Sequence, residues 1–271
     1  MSRTRGTVAL SPAPLGGVVD ALRAAGCVFA EDEARLLIAA ARDPADLDHT
    51  VRQRVSGVPL EHILGWAQFC GLRIAVEPGV FVPRRRTEFL VRTAAALAGP
   101  GATAVDLCCG SGAVGAALLA AIPALRLYAA DNDPVALRCA RRNLSEAKGV
   151  FEGDLYSPLP ASLGGRVDLL AVNAPYVPSD EIRLMPPEAR LHEPRATLDG
   201  GADGLDIQRR VAAGAAVWLA PGGHLVLETS RRQAARTARI VASNGLTPRV
   251  THSKKSDATV VTGTRLAPRG R

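Results

Sequence analysis

The chain has 271 residues, a hydrophobic fraction of 47% and a formal net charge of +7, which suits one large α/β domain with a smaller appendage. The basic residues lie in pairs and triplets without interleaved aromatic residues, so they indicate a solvated surface more than a nucleic-acid-binding one. Five cysteines show no CxxC spacing and no His/Cys cluster, which predicts no metal site and favours a reducing cytoplasm. With no secretory signal pattern and no apolar helix long enough for a bilayer, we expect a soluble intracellular protein.

The first quarter of the chain has a helical pattern. Residues 1–11 have the composition of a disordered tail. Over residues 12–65, apolar side chains recur every three or four positions in short pieces, which glycines and the Asp43-Pro44 pair separate. This pattern predicts a small helical domain that packs on, or extends, a substrate surface.

Residues 66–86 change to a strand-like period. Phe69, Leu72, Ile74 and Val76, followed by Val80–Val82, predict short strands, so a β-hairpin is expected to link the two parts of the chain. After them, Thr87 is positioned to cap the N-terminus of a helix.

From Ala102 onward, strand-like and helical segments alternate as far as Ser243. Such alternation implies crossover connections, a parallel sheet and helices on both of its faces. Two further strand-like runs, Leu246–Thr251 and Ala258–Thr264, predict an antiparallel pair at one edge of the sheet.

A glycine-containing turn lies between the first strand and the first helix of this region, in Val105–Gly115. Gly110 and Gly112 allow the backbone to approach a ligand closely, with the N–H groups of the helix behind it. A turn of this kind is weak evidence alone, because dinucleotide-binding enzymes share it.

Acidic residues end the next two strands. Asp131 is placed to accept both ribose hydroxyls of an adenosine, and Asp154 to accept its amino group. The chain lacks the GxxxxGK[ST] phosphate loop, so S-adenosylmethionine fits better than a nucleoside triphosphate. The alternative is structural: Asp131 caps the helix from Pro134, and Asp154 lies in a turn. Cys108 and Cys109 are expected to be small buried residues and not nucleophiles.

The apolar run Val167–Val172 ends at Asn173-Ala174-Pro175-Tyr176. Pro175 favours extended geometry at Ala174, so the Asn173 amide and the Ala174 carbonyl are able to face the same way. Two converging acceptors beside an aromatic ring suit a planar –NH2 group. The alternative is an Asx-type turn in which Asn173 bonds its own backbone.

These motifs together resemble the HemK/PrmC family of protein glutamine N(5)-methyltransferases, along nearly the whole chain. The family has Asn-Pro-Pro-Tyr where this chain has Asn173 to Tyr176. Other stretches that match are Leu60-Glu61-His62-Ile63-Leu64-Gly65 with Phe69 and Gly71, Val80-Phe81-Val82-Pro83-Arg84 with Thr87-Glu88, Glu193-Pro194, Gly200-Gly201, Asp203-Gly204-Leu205, Pro221-Gly222-Gly223 and Glu228.

The resemblance implies a Rossmann-like methyltransferase domain with a mostly parallel seven-stranded sheet over residues 87–271, a hairpin linker over 66–86 and a helical substrate-recognition domain over 12–65. It implies transfer of a methyl group from S-adenosylmethionine to a glutamine in the Gly-Gly-Gln loop of a peptide-chain release factor. Nucleic acid is then a partner only indirectly. Asn173, Pro175 and Tyr176 are the candidate catalytic residues, and with Ala174 they form the candidate substrate site. Leu155 is expected to lie against the adenine. The candidate cofactor residues are Asp106, Cys108, Cys109, Gly110, Ser111, Gly112, Asp131, Asn132, Asp154, Leu155 and Asn173.

The chain departs from the family pattern at several positions. Ala174 stands in place of a proline, Cys108-Cys109 in place of a glycine and a small residue, and Thr229 in place of a glycine. Two other functions therefore stay open. One is methylation of another amide or of an adenine amino group in nucleic acid. The other is a non-catalytic role, in which the protein binds the cofactor and interacts with other proteins without transferring a methyl group.

Overall fold

The computed structural model describes residues 13–267. The predicted tail over residues 1–11 lies outside this range. The chain divides into two compact units between Leu64 and Gly65. None of the helices within residues 13–267 is both long and apolar enough to cross a membrane.

The first unit consists of four helices, α1 (Ala13–Ala24), α2 (Ala30–Ala40), α3 (Pro44–Val55) and α4 (Leu60–Leu64). Their apolar faces meet in a core that includes Leu22, Leu37 and Leu47. The Asp43-Pro44 pair starts α3 as capping chemistry predicts, because the Asp43 side chain accepts a hydrogen bond from Asp46 N at 2.8 Å.

The second unit begins with an antiparallel hairpin of β1 (Trp66–Phe69) and β2 (Leu72–Ala75). The prediction of a further strand at Val80–Val82 is wrong. Val80 and Val82 are both buried, but neither belongs to a strand of the described residues 13–267, and Val82 N donates to the Glu193 carboxylate at 3.1 Å. Burial alternates along Val80–Val82 with the two-residue period of a strand, although the segment is an extended loop. Helix α5 (Glu88–Ala95) follows.

A seven-stranded sheet forms the centre of this unit. Its strands are β3 (Thr103–Leu107), β4 (Arg126–Asp131), β5 (Gly149–Glu152), β6 (Val167–Val172), β7 (Leu219–Thr229), β8 (Thr247–Ser253) and β9 (Ala258–Thr264). The spatial order is β5-β4-β3-β6-β7-β9-β8, in which β3 to β7 are parallel and β9 runs antiparallel to both of its neighbours. The predicted mostly parallel sheet is confirmed, and β8 of the final pair forms the edge.

Alternate residues of the strands pack on opposite faces, which is why the helices cover both sides. In β3, Ala104 joins one apolar core and Val105 the other. The connecting helices are α6 (Ala113–Ala121), α7 (Pro134–Asn143), α8 (Pro187–His192), α9 (Asp206–Trp218) and α10 (Ala234–Ser243).

The strand order reverses between β3 and β6. The chain runs outward from β3 to β4 and β5, then returns to β6 on the other side, where Leu107 lies opposite Val172. Ligands of open parallel sheets bind beyond the carboxyl ends of the strands at such a switch point. The turn after β3 and the segment after β6 meet there.

Candidate active site

A cavity of about 450 Å³ opens at the switch point, which is within the usual range for a small-molecule site. Its wall includes every residue of the candidate cofactor, catalytic and substrate sets except Gly112, the N-cap of α6 just behind the wall. The fold therefore brings together residues from Asp106 to Tyr176 that are separated by up to 70 positions in the sequence.

The turn after β3 is tightly folded. Cys108, Gly110 and Gly112 all have positive φ angles, of 54°, 54° and 78°. A Cβ atom on Gly112 would lie 2.9 Å from Leu144 side-chain atoms, so packing as well as backbone conformation requires glycine there. Behind the turn, the buried Asp106 accepts a hydrogen bond from Gly115 N at 2.8 Å. Burial raises the pKa of Asp106 to about 7, although the Gly115 N–H lowers it.

Asp131 ties the end of β4 to this turn. Its Oδ2 accepts a hydrogen bond from Gly110 N at 2.8 Å, and its Oδ1 accepts one from Asp133 N at 3.0 Å. Helix α7 is capped by Asp133, which accepts from Val135 N at 2.8 Å. The alternative in which Asp131 caps this helix is therefore wrong. Burial raises the pKa of the Asp131 carboxyl, and its remaining lone pairs are available to hydroxyl donors in the cavity.

The end of β5 also contributes residues to the cavity wall. Asp154 is exposed and forms an ion pair with Arg210 of α9, a residue that the sequence pattern does not single out. Leu155 is half-buried and has a positive φ of 48°, which turns the chain at the cavity wall. Asn132, exposed after β4, also lines this wall.

The two vicinal cysteines are held as thiols. Burial raises the pKa of both Cys108 and Cys109, and the nearby Asp106 and Asp131 raise it further. A thiol is a poor nucleophile compared with a thiolate, so the geometry gives these residues a packing role.

The segment after β6 forms the opposite side of the cavity. Asn173 Nδ2 donates to the Thr87 hydroxyl at 3.4 Å, which orients Oδ1 away from Thr87. Ala174 is buried, and Pro175 and Tyr176 line the same wall. Thr87 does not cap α5 through its side chain as predicted: its backbone is helical, with φ −65° and ψ −17°, and its hydroxyl binds Asn173 instead.

Tyr176 is held by three neighbours. Its hydroxyl donates to Glu228 Oε1 at 3.2 Å, its carbonyl accepts from Gln233 Nε2 at 2.9 Å, and the Arg86 guanidinium lies 5.8 Å from its ring centroid. Burial and the Glu228 carboxylate raise the pKa of the Tyr176 phenol, so it is a donor at neutral pH. Gln233 has no recognisable signal in the sequence, whereas Glu228 belongs to the matching stretches.

Another buried carboxylate, that of Glu193, is paired with Arg84 of the cavity wall. Glu193 accepts from Arg84 Nη2 at 2.7 and 2.6 Å with its two oxygens, and from Val82 N at 3.1 Å. Burial raises the pKa of Glu193 while Arg84 opposes the rise. Arg84 and Glu193 both lie in stretches that match the family motifs, but the sequence gives no signal of their pairing.

The family model described as "Methyltransferase small domain" matches residues 71–201. The release factor glutamine methyltransferase of Mycolicibacterium smegmatis is 36% identical over 281 residues, covering 98% of this chain and 99% of that protein. The Geobacter sulfurreducens protein of the same description is 39% identical over 188 residues, covering 68% of this chain and 65% of that protein. A 4-amino-L-phenylalanine/4-methylamino-L-phenylalanine methyltransferase of Streptomyces pristinaespiralis is 37% identical, covering 80% of this chain and 81% of that protein.

Proposed function

Because this chain belongs to the family of release factor glutamine methyltransferases, we propose that it transfers a methyl group from S-adenosylmethionine to the side-chain amide nitrogen of a glutamine. We propose that this glutamine lies in the Gly-Gly-Gln loop of a peptide-chain release factor, encountered in the cytoplasm. The helical unit before Gly65 is proposed to recognise the protein substrate.

The residues of the cofactor side fit S-adenosylmethionine. The turn after β3 exposes backbone at Gly110, where a Cβ would meet no atom within 4 Å. Asp131 is fixed beside it by the Gly110 N–H, so its carboxylate is preorganised to accept the ribose hydroxyls. Leu155 offers an apolar surface for the adenine, with Asp154 beside it. When bound, the cofactor supplies a methyl group on a positively charged sulfur.

The observation that carries the proposal is the position of Asn173 and Ala174, at the switch point opposite Asp131 and in the wall of the same cavity. An amide nitrogen is a weak nucleophile because its lone pair is delocalised into the carbonyl. Asn173 Oδ1 and the Ala174 carbonyl are proposed to accept hydrogen bonds from its two N–H groups, which aims the nitrogen at the methyl donor and favours the positive charge that develops on it. Loss of one of these two protons to water then leaves the neutral N-methyl amide, and the sulfur leaves as an uncharged thioether. Tyr176, held through its hydroxyl and carbonyl, fixes the plane of the amide.

The direct test is incubation of the purified protein with labelled S-adenosylmethionine and a purified release factor, followed by mass spectrometry of the product. The expected result is one added methyl group on the glutamine of the Gly-Gly-Gln loop. A release factor with that glutamine replaced by glutamate is the control, since it keeps the loop and removes the amide nitrogen. Absence of transfer to the unaltered loop would refute the proposed substrate.

A second candidate is methylation of an amino group on a small aromatic molecule. It is favoured by the similarity to the Streptomyces pristinaespiralis enzyme, whose description names an aromatic amine. Incubation with 4-amino-L-phenylalanine in place of the release factor separates the two, because each reaction gives a product of different mass.

A further inference from the structure

One carboxylate oxygen of Glu228 has no hydrogen-bond partner among the residues that the structure describes. Glu228 lies near the carboxyl end of β7, the strand beside β6, and its side chain is only 3% exposed. Oε1 accepts from the Tyr176 hydroxyl at 3.2 Å and lies 3.4 Å from Arg86 Nε. Among buried side-chain nitrogen and oxygen atoms of residues 13–267, Oε2 is the one for which no hydrogen-bond partner is found.

A buried carboxylate oxygen without a donor is strongly unfavourable, because burial removes the water that would otherwise solvate it. Burial raises the pKa of Glu228, and its neighbours Thr87, Arg86 and Tyr176 oppose the rise. Within residues 13–267, no hydrogen bond of ordinary geometry reaches Oε2. Glu228 lines the cavity that Asn173 and Tyr176 also line. The unmatched acceptor therefore belongs to a residue in the wall of the space in which the substrate is proposed to bind, and it requires a donor.

The donor has to be a group other than the amide that is methylated. In the proposed function, both N–H bonds of that amide are used by Asn173 Oδ1 and the Ala174 carbonyl. A peptide carries further N–H donors on its backbone, at every residue except proline. An adenine base, by contrast, presents ring nitrogens that only accept once its amino group is engaged, and the phosphates of the nucleic acid that carries it are anions that a carboxylate repels.

We propose that Glu228 is a further substrate-binding residue, whose Oε2 accepts a hydrogen bond from a backbone N–H of a peptide substrate. This inference rests on the proposed function and narrows it, because the carboxylate selects a peptide amide over an adenine amino group. The Tyr176 hydroxyl and Arg86 hold Oε1, so that Oε2 is directed to the substrate.

The test is the variant Glu228→Gln, assayed by steady-state kinetics with labelled S-adenosylmethionine and a purified release factor. Glutamine keeps the shape of the side chain and an oxygen for the Tyr176 hydroxyl, but it places an NH2 donor where Oε2 was. Glu152→Gln is the matched control, because Glu152 is an exposed glutamate at the end of β5. Cofactor affinity is measured by calorimetry, and folding by the unfolding midpoint.

Glu228→Gln is expected to lower kcat/KM by about 10- to 100-fold, mainly through a higher KM, as for one lost charged hydrogen bond. Cofactor affinity is expected to be unchanged, and the unfolding midpoint equal or higher, since the variant removes a buried charge. Glu152→Gln should behave as the wild type.

Wild-type kinetics for Glu228→Gln, together with transfer by the wild-type protein, would overturn the inference and leave the proposed function standing. A wild-type protein that methylates adenine in a single-stranded oligonucleotide and not the release factor would overturn both. A loss confined to kcat, or accompanied by weaker cofactor binding, would also contradict a substrate-binding role.

Discussion

Asn173 donates its side-chain N–H to the hydroxyl of Thr87, across 86 positions of sequence and at 3.4 Å. The contact sets which face of the Asn173 amide is turned to the cavity. We therefore expect Thr87 to determine whether Asn173 presents an oxygen or a nitrogen to the cavity.

Replacement of Thr87 by valine keeps the volume of the side chain and removes the hydroxyl. We expect kcat to fall roughly 5- to 10-fold, because Asn173 loses its partner and its amide is no longer held in one orientation. Thr87→Ser restores the hydroxyl and is expected to recover most of the rate. Equal turnover numbers for Thr87→Val and the wild type would show that the contact has no effect on the reaction.

Asn173→Ala removes the side-chain acceptor itself. By analogy with the loss of one donor from an oxyanion hole, the rate is expected to fall about 10²- to 10³-fold. Cofactor affinity is expected to change much less, and calorimetry measures it separately. Asn244→Ala, at the end of α10, is a control with the same side-chain change far from the cavity. Near-normal turnover by Asn173→Ala would remove this residue from the mechanism.

Asp131→Asn tests the cofactor side of the cavity. The change leaves an oxygen for the Gly110 N–H but loses the charge that strengthens hydrogen bonds to hydroxyls, so S-adenosylmethionine should bind about 10- to 100-fold more weakly. Asp133→Asn is the matched control, since asparagine caps α7 as well as aspartate does. Titration calorimetry gives both affinities, and equal values for the two variants would reject the assigned role.

Asp106 is expected to make stability depend on pH. Its pKa is raised by burial to about 7 from the ordinary 3.8, so the folded protein binds a proton that the unfolded chain releases over that range. Stability from this group is therefore full at low pH and is lost as the pH rises from about 4 to about 7. The Asp106→Asn variant does not undergo this loss. Its free energy of unfolding relative to that of the wild type should therefore increase by ~2–4 kcal/mol between pH 5 and pH 8. Urea unfolding at several pH values measures both free energies. If they changed with pH in the same way, the raised pKa of Asp106 would be contradicted.

Gly204 supports the backbone of Tyr176. It has a φ of +74°, and a Cβ there would lie 2.3 Å from the Tyr176 carbonyl oxygen and 2.4 Å from Gln233 Nε2. Gly204→Ala is expected to displace Tyr176, to lower activity and to destabilise the fold by about 1–3 kcal/mol. Gly222→Ala is the control, because Gly222 has a φ of +84° with open space around it. The control should lose some stability but no activity, whereas matching activities for both variants would be evidence against this role.

The strand ends could be predicted from the sequence because each signal there is local. An apolar run followed by Asp131, by Asp154 or by Asn173 identifies a strand and the polar residue after it, and parallel strands bring such ends together. The sheet and the composition of the cavity wall follow from that rule.

The partners that hold these residues could not be predicted in the same way. Thr87 has the sequence position of a helix cap, and only the folded chain shows that its hydroxyl meets Asn173. Val80–Val82 alternates in burial as a strand does, but the Val82 N–H is used by Glu193. Each contact joins segments about 90 to 110 residues apart, and nothing in the local pattern of either segment specifies it.

The Arg84–Glu193 pair joins the loop before α5 to the loop after α8. Glu193 is almost fully buried, so separating the two charges leaves a carboxylate stranded away from water. The two loops are consequently fastened to each other, and each contributes a residue to the cavity wall, Arg84 from one and Pro194 from the other. Neither loop can move away from the cavity without separating this buried pair, so we expect them to open and close together.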